Sequence, residues 1–188
     1  MTMLVVGLVA FLGIHLVPAL PALRKSLVDG MGEGRYKGVF AAASLAGLVL
    51  IVVGYGMAPA SERVFAPLPI ARTLAPYAVG VAFVLFAAAN MRGHLRHSLQ
   101  HPMLIGLLMF SAVHLLATGS LRGTVLFGAL LAYAVVDLVS AVNRHAVKAF
   151  VPEARFDVMA VGGGAAVALG VMAVHRLLFG VTAVSWSL

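Results

Sequence analysis

The chain has 188 residues, of which 62% are hydrophobic and only 10% are charged. Soluble domains have roughly 45–50% apolar and about 25% charged residues, so this composition excludes an ordinary soluble globular domain. The absence of cysteine excludes disulfides, thiolate catalysis and metal sites with cysteine ligands. The net charge of +7 comes from basic residues scattered over short connections. They form no basic helix or aromatic-basic face, so no nucleic-acid partner is expected.

Six strongly apolar stretches occupy almost the whole chain. Each has roughly the 17–25 residues that a helix needs to cross a hydrocarbon core of about 30 Å. The connections between them are too short to hold a soluble domain. We therefore predict an all-α, polytopic membrane protein in which residues 1–188 form one domain, a six-transmembrane-helix bundle. The predicted helices cover residues 3–23, 38–57, 74–91, 102–120, 125–142 and 158–180.

The basic residues of the connections predict the orientation of the chain in the lipid bilayer. Six spans divide the Lys and Arg residues into nine on one side and four on the other. Because basic residues concentrate in cytoplasmic loops, the side with nine is predicted to be cytoplasmic, which places both termini outside. The nine are Arg24, Lys25, Arg35, Lys37, Arg92, Arg96, Arg144, Lys148 and Arg155.

Two histidines lie deep inside predicted spans, His15 in the first and His114 in the fourth. Counting residues from the cytoplasmic ends places them roughly 12 Å and 18 Å deep, near a common level. An ionisable group inside a bilayer needs a partner and marks a candidate functional site. Two neutral imidazoles at one level match the paired axial ligands of a membrane haem. Hydrogen bonds to helix carbonyls or to a neighbouring Ser or Asn satisfy them equally well, so the residues alone leave both interpretations open.

A His-Pro pair begins the fourth stretch. Pro102 suits the first turn of a helix, where its missing N–H is no loss, and this places His101 near the N-cap. Free backbone N–H groups at such a position, together with Arg96, favour an anion. A lipid headgroup, a haem propionate or a substrate carboxylate fits this description.

Asp137 is an acidic residue well inside the fifth predicted span. A carboxylate at that depth requires a partner, and a salt bridge or a hydrogen bond is the expected solution. The candidate partners are Arg92, Arg96, Arg144 and His101. A role in proton relay is the functional alternative.

Small residues predict where helices approach one another closely. The sixth stretch is the richest in them, and weaker patterns surround Gly47 and Gly54 in the second stretch. We expect the sixth helix to pack through a small-residue face. Its small residues are Gly162, Gly163, Gly164, Ala166, Ala168 and Gly170.

Four short motifs follow one another along the chain. They are Gly7 to Pro18 (GLVAFLGIHLVP), His101-Pro102, the run His114 to Gly119 (HLLATG) and Leu126-Phe127-Gly128. In this order and spacing, over almost the full length, the chain resembles the NnrU family of bacterial membrane proteins, which is similar to zeta-carotene isomerase of plants and cyanobacteria. The resemblance implies a multi-pass protein of the bacterial inner (cytoplasmic) membrane with a part in nitrite and nitric oxide reduction.

The resemblance also implies a cofactor. The isomerase branch binds haem b, and the corresponding metal ligands in this chain are His15 and His114, with His101 as a contact to a propionate or to a ligand. We therefore expect redox chemistry, or a redox-dependent isomerisation, on a lipid-soluble substrate. The chain lacks the cysteine that the isomerases have near the second ligand, Ser111 being the nearest polar residue, and Thr118 replaces the expected Asn. The reaction, the catalytic residues and the redox partner are not assigned.

Two other classes of function remain open. Residues His101 to Gly106 (HPMLIG) resemble the Arg-His-Pro-x-x-x-Gly element that contacts S-adenosylmethionine in membrane methyltransferases of the isoprenylcysteine carboxyl type. Gln100 replaces the Arg here, and only Glu153 and Phe156 represent the downstream elements of those enzymes. A non-catalytic assembly factor for a respiratory complex is the third class, and such a protein would tolerate loss of either intramembrane histidine.

Overall fold

The computed structural model describes residues 1–180 and 183, apart from the side chain of Leu178. This part of the chain is 81% helical and contains no β-strand, as expected for an all-α fold. A short 3-10 turn at Val17–Ala19 joins the first two helices. The helices are α1 (Thr2–Leu16), α2 (Pro21–Met31), α3 (Glu33–Met57), α4 (Pro69–Ala88), α5 (His94–Leu99), α6 (Pro102–Thr118), α7 (Leu121–Asn143) and α8 (Ala154–Phe179).

Five segments are long and apolar enough to cross a bilayer, which makes this a multi-pass membrane protein. They contain α1 with its 3-10 turn, α3, α4, α7 and α8. The remaining apolar helix, α6, has 17 residues and a length of about 25 Å, at the lower limit for a span. The structure therefore supports five spans by length, with α6 as a shorter apolar helix, where six were predicted.

The helices pack side by side in an order that differs from their order along the chain. The most extensive contacts join α3 to α1, α6 to α7, α4 to α6 and α4 to α8. A smaller contact joins α1 to α7. This order, α3–α1–α7–α6–α4–α8, makes α7 the common neighbour of α1 and α6, the two helices that carry His15 and His114.

Glycines bring α1 and α3 into backbone contact. A Cβ atom added at Gly7 would lie 2.6 Å from the backbone nitrogen of Ile51, and one at Gly47 would lie 2.8 Å from that of Phe11. Gly54 meets the backbone of Leu4 even more closely. Since lipid exerts no hydrophobic force between helices, such close van der Waals packing is what holds the pair together.

A small-residue face packs α8 against α4, as the sequence predicts, although it uses only part of the predicted set. Ala160, Gly164 and Ala168 recur every fourth residue and are all buried. A Cβ at Gly164 would lie 2.5 Å from the Cα of Val84. Gly162, Gly163 and Gly170 face open space in the structure.

The first apolar stretch does not form the single helix predicted for residues 3–23. Its α-helix ends at Leu16, a 3-10 turn contains Pro18, and Pro21 begins α2. Proline cannot donate the backbone hydrogen bond of a helix interior, so the two prolines end α1 while the hydropathy stays high. His15 consequently lies in the last turn of α1 rather than eight residues from its end.

Candidate functional site

His15 bonds to its own helix and packs among aromatic rings. Its Nδ1 lies 2.7 Å from the carbonyl oxygen of Phe11, one turn earlier in α1. The imidazole is tilted against the Phe11 ring at a centroid distance of 4.3 Å. Across the helix pair, the edge of Phe40 in α3 lies 5.1 Å away. The side chain is therefore half-buried and held in one orientation.

His114 repeats this arrangement in α6. Its Nδ1 lies 2.8 Å from the carbonyl oxygen of Phe110, again one turn earlier. The Phe110 ring is 4.2 Å away, and Phe127 of α7 stacks on the imidazole at 4.8 Å with an interplanar angle of 29°. Phenylalanine rings thus enclose this histidine from two helices.

The two hydrogen bonds assign the same tautomer to both histidines. A carbonyl oxygen only accepts, so Nδ1 must carry the proton in each ring. The Nε2 of the neutral imidazole then keeps its lone pair, and this is the nitrogen that a metal-ligating histidine offers when its other nitrogen bonds to a backbone carbonyl. The donor chemistry at His15 and at His114 therefore fits an axial haem ligand.

The structure places the two histidines beside different turns of α7. His114 stacks on Phe127, whereas His15 approaches the ring of Tyr133 edge-on at 6.5 Å. Phe127 and Tyr133 are six residues apart, or about 9 Å along the helix axis. The difference from the common level expected from the sequence arises because α1 ends at Leu16, which moves His15 toward that end of the bundle.

A chain of polar contacts starts beside His15. The hydroxyl of Tyr133 donates to Asp137 Oδ2 at 3.0 Å, and Arg144 lies 3.8 Å from Asp137 Oδ1. Arg144 also donates to the carbonyl oxygen of Pro18, in the 3-10 turn after α1. Asp137 thus finds one of its predicted partners, and the contacts lead from the histidine to the end of the bundle.

The rings that pack on His114, those of Phe110 and Phe127, are apolar by comparison. Ser111, one turn earlier, is completely buried. Its hydroxyl donates to the carbonyl oxygen of Leu107 at 2.6 Å. The polar atom nearest in sequence is thus engaged within α6 itself.

His101 is the N-cap residue of α6, as the His-Pro pair predicts. Its Nε2 is buried and has no hydrogen-bond partner among the described residues. Arg96, expected to share an anion with it, instead places its guanidinium over the ring of Phe150 at 5.2 Å. His101 therefore retains an unused nitrogen at the start of the helix that carries His114.

A neighbouring carboxylate fixes the short helix that leads to His101. Asp157 of α8 accepts hydrogen bonds from the backbone nitrogens of His94 and Leu95 at the start of α5. It also contacts Nδ1 of His94 at 2.8 Å. This capping ties the α4–α6 connection to α8 and accounts for the packing of Asp157 directly against Gly93.

Sequence reasoning missed several residues of these surroundings although a signal for them exists. Phe11 and Phe110 each precede a histidine by four positions, and Tyr133 precedes Asp137 by four. Residues four apart share one helix face, so these pairs are readable from the sequence. Phe40 and Phe127 come from other helices and carry no such signal.

Comparison with known proteins gives a single finding. A family described as NnrU protein matches residues 3–183, almost the whole chain. Neither a curated protein nor a solved structure matches the chain. Within the residues that the structure describes, no group of three or more His, Asp or Glu side chains is arranged to hold a metal ion by itself.

Proposed function

The chain belongs to the NnrU protein family, and from that premise we propose that it binds haem b within the bacterial cytoplasmic membrane. His114 and His15 would hold the haem iron, and His101, at the start of α6, is proposed as a contact for a haem propionate. Bound haem b would supply reversible one-electron transfer. The protein would supply two oriented imidazoles and, around His114, a wall of phenylalanine rings that excludes water.

The observation that carries this proposal is the repeated arrangement of the two histidines. Each donates from Nδ1 to the phenylalanine carbonyl one turn earlier, at 2.7 Å and 2.8 Å. Both keep Nε2 for a ligand. Nε2 is therefore the nitrogen that both rings offer, which gives the two histidines the same donor atom for iron.

The proposal includes six spans, with both termini outside. The short helix α6 packs between α4 and α7, each of which is long enough to cross a bilayer. The 17 residues of α6 reach the lower limit of the length that a span requires. The nine-to-four division of basic residues supports the orientation.

The histidines have different expected contributions because they contact α7 at different turns. His114 has the more enclosed surroundings and is proposed as the principal ligand. His15 completes the coordination only if α1 and α6 shift relative to α7. The proposal therefore predicts that loss of His114 removes haem, whereas loss of His15 changes the coordination of haem that remains bound.

Visible spectra of the purified protein test this proposal. We expect protein from haem-supplemented cells, in mild detergent, to show the Soret and alpha bands of a b-type haem. His114→Ala should lose most of the haem, and His15→Ala should give the spectrum of a five-coordinate iron. His145→Ala, in an exposed connection, is the control and should match the wild type. Wild-type protein without haem would overturn the proposal.

We also propose that this redox function serves nitrite and nitric oxide reduction, or the isomerisation of a lipid-soluble molecule. A strain lacking the protein tests the first possibility by its nitrite consumption under oxygen limitation. Wild-type protein should restore consumption and His114→Ala should not. Full restoration by both histidine variants would instead favour an assembly factor, and dependence on S-adenosylmethionine would favour a methyltransferase.

A further inference from the structure

A cavity of about 190 Å³ lies where α2, α3 and the 3-10 turn after α1 meet. It is lined by Pro18, Arg24, Tyr36, Lys37 and Phe40. The volume is several times the roughly 30 Å³ that one water occupies in the liquid. In the proposed topology this end of the bundle lies at the cytoplasmic surface of the membrane.

Tyr36 carries a polar group in this cavity wall that lacks a partner. The residue is only 7% exposed, and its hydroxyl is buried without a hydrogen bond to any described residue. Buried tyrosine hydroxyls usually find a partner, because an unpaired one loses its hydration without compensation. Tyr36 therefore brings a hydroxyl with unused hydrogen-bonding capacity to the wall of the cavity.

Two basic residues, Arg24 and Lys37, line the same cavity as Tyr36. The guanidinium of Arg24 lies 5.8 Å from the centre of the Tyr36 ring, and the ion pairs formed among the described residues do not include Arg24. Lys37 is paired with Glu33 at 2.8 Å, but that pair is exposed and weakened by water. Residues 24–37 contain four basic and two acidic residues, a net charge of +2. The cavity thus favours an anion.

The other side of the cavity is apolar. Phe40 and Pro18 form this wall, and nearby Leu20, Leu23 and Val39 are exposed to the extent of 54%, 44% and 53%. None of the residues of α2 is buried, as expected for a helix on a membrane surface. Apolar and cationic surfaces side by side match an amphiphile better than a free ion.

We propose that this cavity binds the phosphate headgroup of an anionic membrane lipid. The Arg24 guanidinium binds the phosphate and Lys37 adds positive charge. When the lipid binds, the Tyr36 side chain turns so that its buried hydroxyl donates a hydrogen bond to a phosphate oxygen. The acyl chains lie along the apolar side chains at the membrane boundary. The proposal invokes no contact with haem, although the lining residue Phe40 also packs against His15. It takes only the position of the cavity at the membrane surface from the proposed topology.

Short-chain lipids test the site on the full-length protein in detergent. Dioctanoyl phosphatidylglycerol, dioctanoyl phosphatidylcholine and inorganic phosphate are titrated separately, and binding is measured by thermophoresis. We expect phosphatidylglycerol to bind at least about tenfold more tightly than the other two. Equal binding of both lipids would show that the site does not distinguish an anionic headgroup from a zwitterionic one. Equal binding of inorganic phosphate would show that the ligand is a free ion, and either result overturns the proposal.

Tyr36→Phe is the sharpest variant because it removes only the hydroxyl. It should weaken phosphatidylglycerol binding about tenfold, the worth of one hydrogen bond to a charged group. Without lipid its thermal stability should not fall, since the lost hydroxyl has no partner in the fold. Tyr77→Phe, on an exposed tyrosine of α4, is the matched control. Unchanged affinity in Tyr36→Phe would exclude the hydroxyl as a ligand and overturn the assignment.

Arg24→Gln tests the charge. It should abolish most of the preference for phosphatidylglycerol over phosphatidylcholine, whereas Arg63→Gln, which removes an exposed arginine elsewhere in the chain, should leave it unchanged. An equal loss in both variants would mean that only net charge attracts the lipid. That result would contradict a built site at the cavity.

Discussion

His15 and His114 have the same local structure and very different surroundings. Each donates to a phenylalanine carbonyl one turn earlier and lies against that phenylalanine. Beyond that turn, His15 meets Tyr133 and the polar contacts of Asp137, whereas His114 meets the face of Phe127. The hydrogen bond within each helix thus sets the tautomer, and the side chains of neighbouring helices determine how polar the surroundings of Nε2 are.

The two histidines therefore have surroundings that suit different chemical roles. The contacts of Tyr133, Asp137 and Arg144 place a hydroxyl and two charged groups between the His15 side and the end of the bundle. The phenylalanines around His114 favour a dry, fixed ligand. A redox cofactor needs both properties, because electron transfer to it changes the charge that its surroundings must balance.

The largest expected loss of stability comes from disrupting the close packing of α1 against α3, on the His15 side of the bundle. Gly54→Leu forces a side chain against the backbone of Leu4, which cannot move aside as a flexible side chain does. We expect a loss of about 3 kcal/mol or more in the free energy of unfolding. Thermal unfolding in detergent, followed by circular dichroism, measures it.

Gly56→Leu is the matched control for this change, since a Cβ at Gly56 meets nothing within 4 Å. It should unfold within about 0.5 kcal/mol of the wild type. Equal damage from the two substitutions would show that the close backbone approach at Gly54 does not determine the stability of the α1–α3 pair.

An effect at the lower end of that range is expected on the other side from Phe127→Ala. Phe127 is 8% exposed and stacks on His114, so its removal leaves a cavity beside the imidazole. We expect a loss of about 3 kcal/mol in unfolding free energy, against about 1 kcal/mol for Phe40→Ala beside His15, because Phe40 is less buried. Denaturant titration of the two variants in the same detergent compares them. The reverse order would refute the distinction between an enclosed His114 and an open His15.

The smallest effect concerns the polar chain. Tyr133→Phe removes the hydroxyl that donates to Asp137 and should lower the free energy of unfolding by about 1 kcal/mol. Tyr77→Phe, with its tyrosine 73% exposed, should have no measurable effect. If both variants unfold like the wild type, the Tyr133–Asp137 contact contributes nothing to the stability of the His15 side.

Hydropathy predicted the ends of an apolar helix well where a proline or a glycine lies at the same boundary. The prediction of 102–120 for the fourth helix closely matches α6, which starts at Pro102 and ends before Gly119 in a left-handed conformation. The prediction of 3–23 ran too far because the residues after Pro18 remain apolar. There the missing backbone donors of the prolines end α1 although the composition does not change.

Contacts between helices were less readable from the sequence. Small residues are most frequent in α8, yet Gly54 in α3 makes a closer backbone approach than Gly164 in α8. A small residue permits such an approach without requiring it, and which helices meet depends on the whole fold. For the same reason, the position of α7 as neighbour of both α1 and α6 was not predictable, whereas the pairs four residues apart were.

The position of α7 sets an order for assembly during synthesis. The glycine-packed pair of α1 and α3 is complete once the first 57 residues have entered the membrane. The side of His15 that faces Tyr133 stays open to lipid until the chain has been made to Asn143. A nascent chain therefore exposes this histidine through much of its translation, and α7 closes over it at the same time as it covers His114.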